Sequence, residues 1–169
     1  MATAPPSEQA LARSKIVIFQ ALKTDNITPV IKIVKAGFHV DTPMEQGMTI
    51  LMHVAGSGDA SMLNDIMKLG PNLDVKDNIG RTALHFAARA GNLETFKILV
   101  ELDEIDIDAV TNAGMTPLMC AVESGAIQVV AESLNNNLNP FLKDALDRTA
   151  LDYAMYYRDA LGDDMRGLI

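Results

Sequence analysis

The chain has 169 residues, a formal charge of −8 and a pI near 4.7, with 49% hydrophobic and 21% charged residues. This is the composition of a globular chain, not a disordered one, and its acidity disfavours DNA or RNA, since phosphate binding is built on Lys and Arg. No apolar run reaches the ~18 residues of a membrane-spanning helix, and a lone Cys120 excludes an internal disulfide and points to a reducing compartment.

Residues 1–13 lack the apolar core of a signal peptide and read as a flexible tail. Residues 14–43 form a worn first unit of a repeat that is clearest further on. Ile16, Ile18, Ala21, Val30 and Ile33/Val34 hold its apolar or small positions, and Thr28-Pro29 reads as a helix N-cap followed by Pro at the first helical position. Residues 44–76 carry Gly-Met-Thr-Ile-Leu at 47–51, residues 77–110 carry Gly-Arg-Thr-Ala-Leu at 80–84, residues 111–143 carry Gly-Met-Thr-Pro-Leu at 114–118, and residues 144–169 carry Asp-Arg-Thr-Ala-Leu at 147–151. The Thr residues, 49, 82, 116 and 149, are spaced 33, 34 and 33 apart, which is the signature of a stacked repeat.

The same offsets recur within each unit. Leu51, Leu84, Leu118 and Leu151 follow the Thr by two, and Gly58, Gly91 and Gly125 follow it by nine, where a first helix should end. Apolar residues at i, i+3 and i+4 then mark one face of a second helix: Met62/Leu63 and Ile66/Met67, Phe96 and Leu99/Val100, Val129/Val130 and Leu134. The extra residue of the 34-residue spacing is placed in the acidic stretch 101–108. In the last unit the second-helix register fails at Gly162 and Asp163, although Leu161, Met165 and Leu168 could form a short stripe.

These segments closely resemble ankyrin repeats, most clearly over Gly80–Gly91 and Gly114–Gly125. His appears in the signature only at His85; Phe19, Met52, Met119 and Asp152 stand at that position in the other copies. The resemblance implies an all-α solenoid of about five helix–turn–helix repeats in a single domain over 14–169. It implies β-hairpin fingers before each Thr and a concave face lined by the first helices. It also implies that His85 makes a structural hydrogen bond near Thr82, and that a protein partner is held by finger tips and exposed helix ends. In this sequence the tips are Glu45, Met48, Asn78, Ile79, Arg81, Asn112, Met115, Leu146 and Arg148, and the helix ends are Arg89, Glu123 and Tyr156. Met48, Ile79, Met115 and Leu146 form a row of four apolar tips, more than solubility asks for.

Chemistry is otherwise sparse. His39, His53 and His85 lack the i, i+4 partner of a zinc helix. His53 reads as a half-buried packing residue and Cys120 as a small buried hydrophobe. The acids at 101, 103, 104, 106 and 108 lack the central Gly and closing Glu of an EF-hand and read as a solvated loop. No pair of groups has complementary catalytic roles, so no enzyme activity, cofactor or metal is expected. Charge is uneven: residues 1–93 hold nine Lys/Arg against eight Asp/Glu, residues 94–169 five against fourteen. Such a field either keeps the protein soluble or steers a basic partner.

The reading is a monomeric, non-catalytic protein-interaction module, an adaptor or scaffold of the cytoplasm or nucleus, with no nucleic-acid or membrane partner. The alternatives are a dedicated regulatory or assembly-chaperone subunit of one complex, and an ankyrin fragment of a larger protein.

Overall fold

Thr49, Thr82 and Thr116 stand in extended backbone at the heads of three short helices, in a computed structural model that describes residues 7–24 and 26–161. These helices, α3 (Ile50–Ser57), α5 (Ala83–Ala90) and α7 (Pro117–Ser124), end at Gly58, Gly91 and Gly125. A second helix follows each: α4 (Ala60–Met67), α6 (Leu93–Val100) and α8 (Ile127–Asn135). Before them come α1 (Glu8–Lys23) and α2 (Ile27–Lys35), and after them α9 (Ala150–Leu161). Helices α3, α5, α7 and α9 stack as one row and α2, α4, α6 and α8 as another, while α1 packs on α2. The result is an all-α repeat solenoid. One helix pair cannot bury its own apolar face, so the core is shared between neighbours: Leu51, Leu84 and Leu118 are all at most 1% exposed, with Leu63, Phe96, Leu99 and Val130 beneath them.

The helix starts show why the signature tolerates substitution. The backbone N–H of each Thr has no partner in its own helix and needs an acceptor. That of Thr82 donates to His85 Nδ1 at 3.2 Å, those of Thr49 and Thr116 to the thioethers of Met52 and Met119, and that of Thr149 to Asp152 Oδ2 at 2.7 Å. Imidazole, sulfur and carboxylate all accept, so three chemistries fill one place. The Thr149 bonds hold the Asp152 carboxyl below its ordinary range.

Four sequence expectations change. Helix α1 begins at Glu8, with Ser7 as its N-cap, so residues 8–13 are helical where a tail was expected. The N-cap of α2 is Asn26, whose side chain accepts from the Thr28 N–H at 3.2 Å, and not Thr28. Among the described residues no strand flanks the fingers, which are tight turns and not β-hairpins. Leu151 is 47% exposed, unlike its counterparts, because no further first helix among the described residues stacks on α9. Arg158 occupies the place where Gly closes the earlier helices, and α9 runs on to Leu161. Met165 and Leu168, with the second-helix stripe read there, lie outside the described residues.

Candidate functional site

The fingers are built alike. Each closes with one backbone bond across its tip: Met44 N–H to Met48 O, Asp77 to Arg81, Thr111 to Met115 and Asp144 to Arg148, at 2.8–3.0 Å. Successive fingers are tied by Asn78 N–H to Gln46 O, Asn112 to Ile79 and Ala145 to Ala113. Under the second tip, buried Asp77 accepts from the N–H groups of Ile79 and Arg81 and from Arg81 Nε. Under the last tip, Asp144 does the same for Leu146 and Arg148 and also receives the Tyr153 hydroxyl at 2.9 Å. Burial alone would raise the Asp144 carboxyl, but the Arg148 and Tyr153 bonds hold it far below the carboxylate range. Burial, then Asp144, pushes the Tyr153 phenol up to about 12.

This scaffold sorts the tip residues by offset. Side chains immediately before the Thr turn back onto the scaffold: Met48 and Met115 are half-buried against the core. The Arg81 guanidinium lies 4.3 Å from the Phe86 ring and pairs with Asp77 at 2.7 Å, and Arg148 repeats this with Tyr153 and Asp144. Side chains three before the Thr point outward, leaving Ile79 54% and Leu146 70% exposed. The row of four apolar tips is therefore a pair. Met48 and Met115 leave it because their position faces the first helical turn, where an apolar chain gains by burial. Glu45, Asn78 and Asn112 remain exposed at their tips.

One hollow gathers much of the rest. Ile79, Arg81, Arg89, Asn112, Met115 and Cys120 line a pocket of about 420 Å³ between the second and third fingers. Arg89 reaches across from α5 to Glu123 of α7 at 3.3 Å. Burial pushes the Cys120 thiol up to about 12, so it stays protonated and behaves as a small hydrophobe. The structural hydrogen bond of His85 is present, and its other ring nitrogen meets Met115 O at 3.0 Å, bracing the pocket wall. His53 packs edge-on to Phe19 at 5.8 Å, and burial lowers its pKa. Tyr156, 82% exposed, stands at the far end against Tyr157, away from this pocket.

Sequence reasoning missed a ladder of aspartates. Asp41, Asp74 and Asp108, each eight residues before a Thr, accept from the backbone N–H of Asn72, Asp106 and Asn139 in the next repeat at 2.9–3.1 Å. The equal offset was the available signal. In the last copy Phe141 holds that place and is 80% exposed. Asp106 and Asp108 of the acidic stretch are thus engaged with backbone, and among the described residues no group of three His, Cys, Asp or Glu is placed to hold a metal ion. The extra residue lies between the end of α6 at Val100 and Asp108, inside the stretch read from the sequence. No helix among the described residues is long and apolar enough to cross a membrane.

The family profile described as ankyrin repeats (3 copies) matches residues 18–111 and 51–144. An ankyrin repeat protein of Rickettsia bellii is 30% identical over 66% of this chain and 62% of its own length. Alpha-latrotoxin-Lg1a of Latrodectus geometricus is 36% identical over 51% of this chain, and neurogenic locus notch homolog protein 1 of Danio rerio is 31% identical over 64%. The chain spans 6% and 4% of those two proteins, so it covers less than two thirds of each of these relatives. The register, the capped helix starts, the linked fingers and the matched profile agree: the chain belongs to the ankyrin repeat family.

Proposed function

We propose that this protein is a non-catalytic adaptor that holds a protein partner at the pocket between its second and third fingers, with Ile79 as the apolar anchor. Ankyrin repeats are in general protein–protein interaction modules. The observation that carries the specific reading is Ile79, a large side chain held 54% exposed by a buried Asp77 cap and set on the lip of a 420 Å³ hollow with two arginines. An apolar anchor ringed by polar groups is the usual form of a hot spot. Asn78, Asn112, Arg89 and Glu123 form the polar surround, and Leu146, Arg148 and Tyr156 extend the surface toward the C-terminal end. Glu45 extends it toward the other, while Met48 and Met115 support the tips from beneath. In this reading the protein works as a monomer in a reducing compartment, the cytoplasm or nucleus, and its acidic C-terminal half attracts a basic region of the partner.

Ile79→Asp tests it. Binding to a partner recovered by affinity capture should fall at least tenfold, about 1.4 kcal/mol, with far-UV circular dichroism and melting temperature nearly unchanged. Normal binding by a folded variant would remove Ile79 as the anchor.

A further inference from the structure

Helix α1 places Lys15, Phe19 and Lys23 at i, i+4 and i+8, one stripe roughly 12 Å long. The stripe touches α3 where Phe19 meets His53 edge-on at 5.8 Å. It faces a groove whose opposite wall is the first finger and α3, in two hollows of about 270 and 400 Å³ that share Phe19. The wall is largely apolar: half-buried Met44 and Met48 line it, with His53 and Phe86, while Met52 lies fully buried behind them. Thioether side chains adapt to an incoming shape, and such surfaces accept an apolar anchor readily. Ile16, 59% exposed, lengthens the apolar edge.

The charges at this groove run against those of the chain. Lys23 Nζ sits 4.3 Å over the Phe19 ring. Among the described residues, no carboxylate forms an ion pair with Lys15 or Lys23. Glu45, at the exposed finger tip, is the one acid among the described residues of the lining. Two ammonium groups with no ion-pair partner among the described residues therefore flank an aromatic ring, in a protein whose net charge is −8 and whose residues 94–169 hold nine more acids than bases.

We propose that this groove binds an acidic, apolar segment of a protein partner. One large apolar side chain seats against Phe19 and the methionines, and carboxylates on either side of it meet Lys15 and Lys23. The inference rests on the reading of the protein as an interaction module and names the chemistry of a second contact. A basic segment is repelled at both lysines. An acidic one is repelled by the C-terminal half and drawn toward this end, so the field favours one orientation of the partner along the solenoid. Together with a basic region drawn to the acidic half, this describes a partner of opposed polarity.

Fluorescence anisotropy with labelled peptides tests the assignment on the whole chain. The probe is a short peptide with a Leu-Phe centre flanked by Asp and Glu; the controls carry Lys flanks, or a Ser-Ser centre with the acidic flanks. The acidic, apolar peptide should bind at least tenfold more tightly than either control and lose affinity as salt rises. Lys15→Glu with Lys23→Glu should weaken it at least tenfold at an unchanged melting temperature, and the milder pair Lys15→Ala and Lys23→Ala should weaken it in the same direction if the reversed pair is unstable. Ile79→Asp should leave peptide binding unchanged. Equal binding of the Lys-flanked peptide, or indifference to both lysine pairs, overturns the proposal. A captured partner lost by Ile79→Asp but indifferent to both lysine pairs overturns the groove and leaves the finger reading standing. Peptide binding that follows the lysines, beside a partner indifferent to Ile79→Asp, does the reverse.

Discussion

His85 of α5 and Met115 of the third finger are joined across the repeat boundary: the ring Nε2 lies 3.0 Å from the Met115 carbonyl while Nδ1 accepts from the Thr82 N–H. The two partners assign the neutral ring with its proton on Nε2, since Nδ1 must accept. A second proton, on Nδ1, would face the Thr82 N–H.

This pairing makes stability depend on pH. Burial, chiefly, lowers the His85 pKa from 6.5 to about 4. Between those values the unfolded chain binds a proton that the folded chain refuses, so stability is full above about 6.5 and is lost as pH falls toward about 4. The loss from this group approaches about 3 kcal/mol at the foot of the window. His53, also lowered by burial, adds in the same sense, whereas Asp144 loses its contribution only below the ordinary carboxylate range. Urea melts across the window should show this slope. His85→Gln, which can still accept from Thr82, should be less stable at neutral pH and show a flatter profile.

Leu84 is fully buried between repeats, so Leu84→Ala should cost about 2–5 kcal/mol. Leu146→Ala, at a 70% exposed tip, should stay within about 0.5 kcal/mol. Coincident urea midpoints for the two variants would contradict the assigned register.

Two glycines separate backbone strain from crowding. Gly70 and Gly80 both have positive φ, 68° and 85°. A Cβ at Gly70 meets nothing within 4 Å, whereas one at Gly80 falls 2.6 Å from the Asn112 N. Gly70→Ala should cost about 1 kcal/mol, the strain alone. Gly80→Ala should cost clearly more in the same melts, because the bond from Asn112 N–H to Ile79 O must also open.

The acidic stretch makes a contrasting prediction. Asp106 and Asp108 already hold backbone N–H groups. Millimolar calcium should leave the melting temperature unchanged, since only a ligand that prefers the folded state raises it. A calcium-dependent rise, read by differential scanning calorimetry, would show that these carboxylates leave the backbone for the ion.

The helix pairs were legible because burial repeats with the Thr register: Leu84, Ala87, Phe96 and Leu99 fall inside as their offsets required. The finger tips were less legible. Family likeness puts Met48 and Ile79 on one surface, yet they sit one and three residues before their Thr, and the turn sends those positions to opposite sides. Arg81 and Arg148 looked available and are instead held by Asp77 and Asp144, whose importance depends on a turn geometry that charge counting does not carry. The start of α1 was missed because its worn unit has no Thr, and Ser7 supplies the cap from within the presumed tail.

The Asp ladder bears on how such a chain changes length. Asp41, Asp74 and Asp108 each reach only the repeat that follows, and the finger bonds likewise join nearest neighbours. A second copy of the 77–110 unit placed after residue 110 would bring its own aspartate, its own finger carbonyl and its own capped helix, and each would find the partner it already has. Gene duplication could therefore lengthen the array without redesigning a single joint, whereas an insertion out of phase with the period would break every one of them at that boundary.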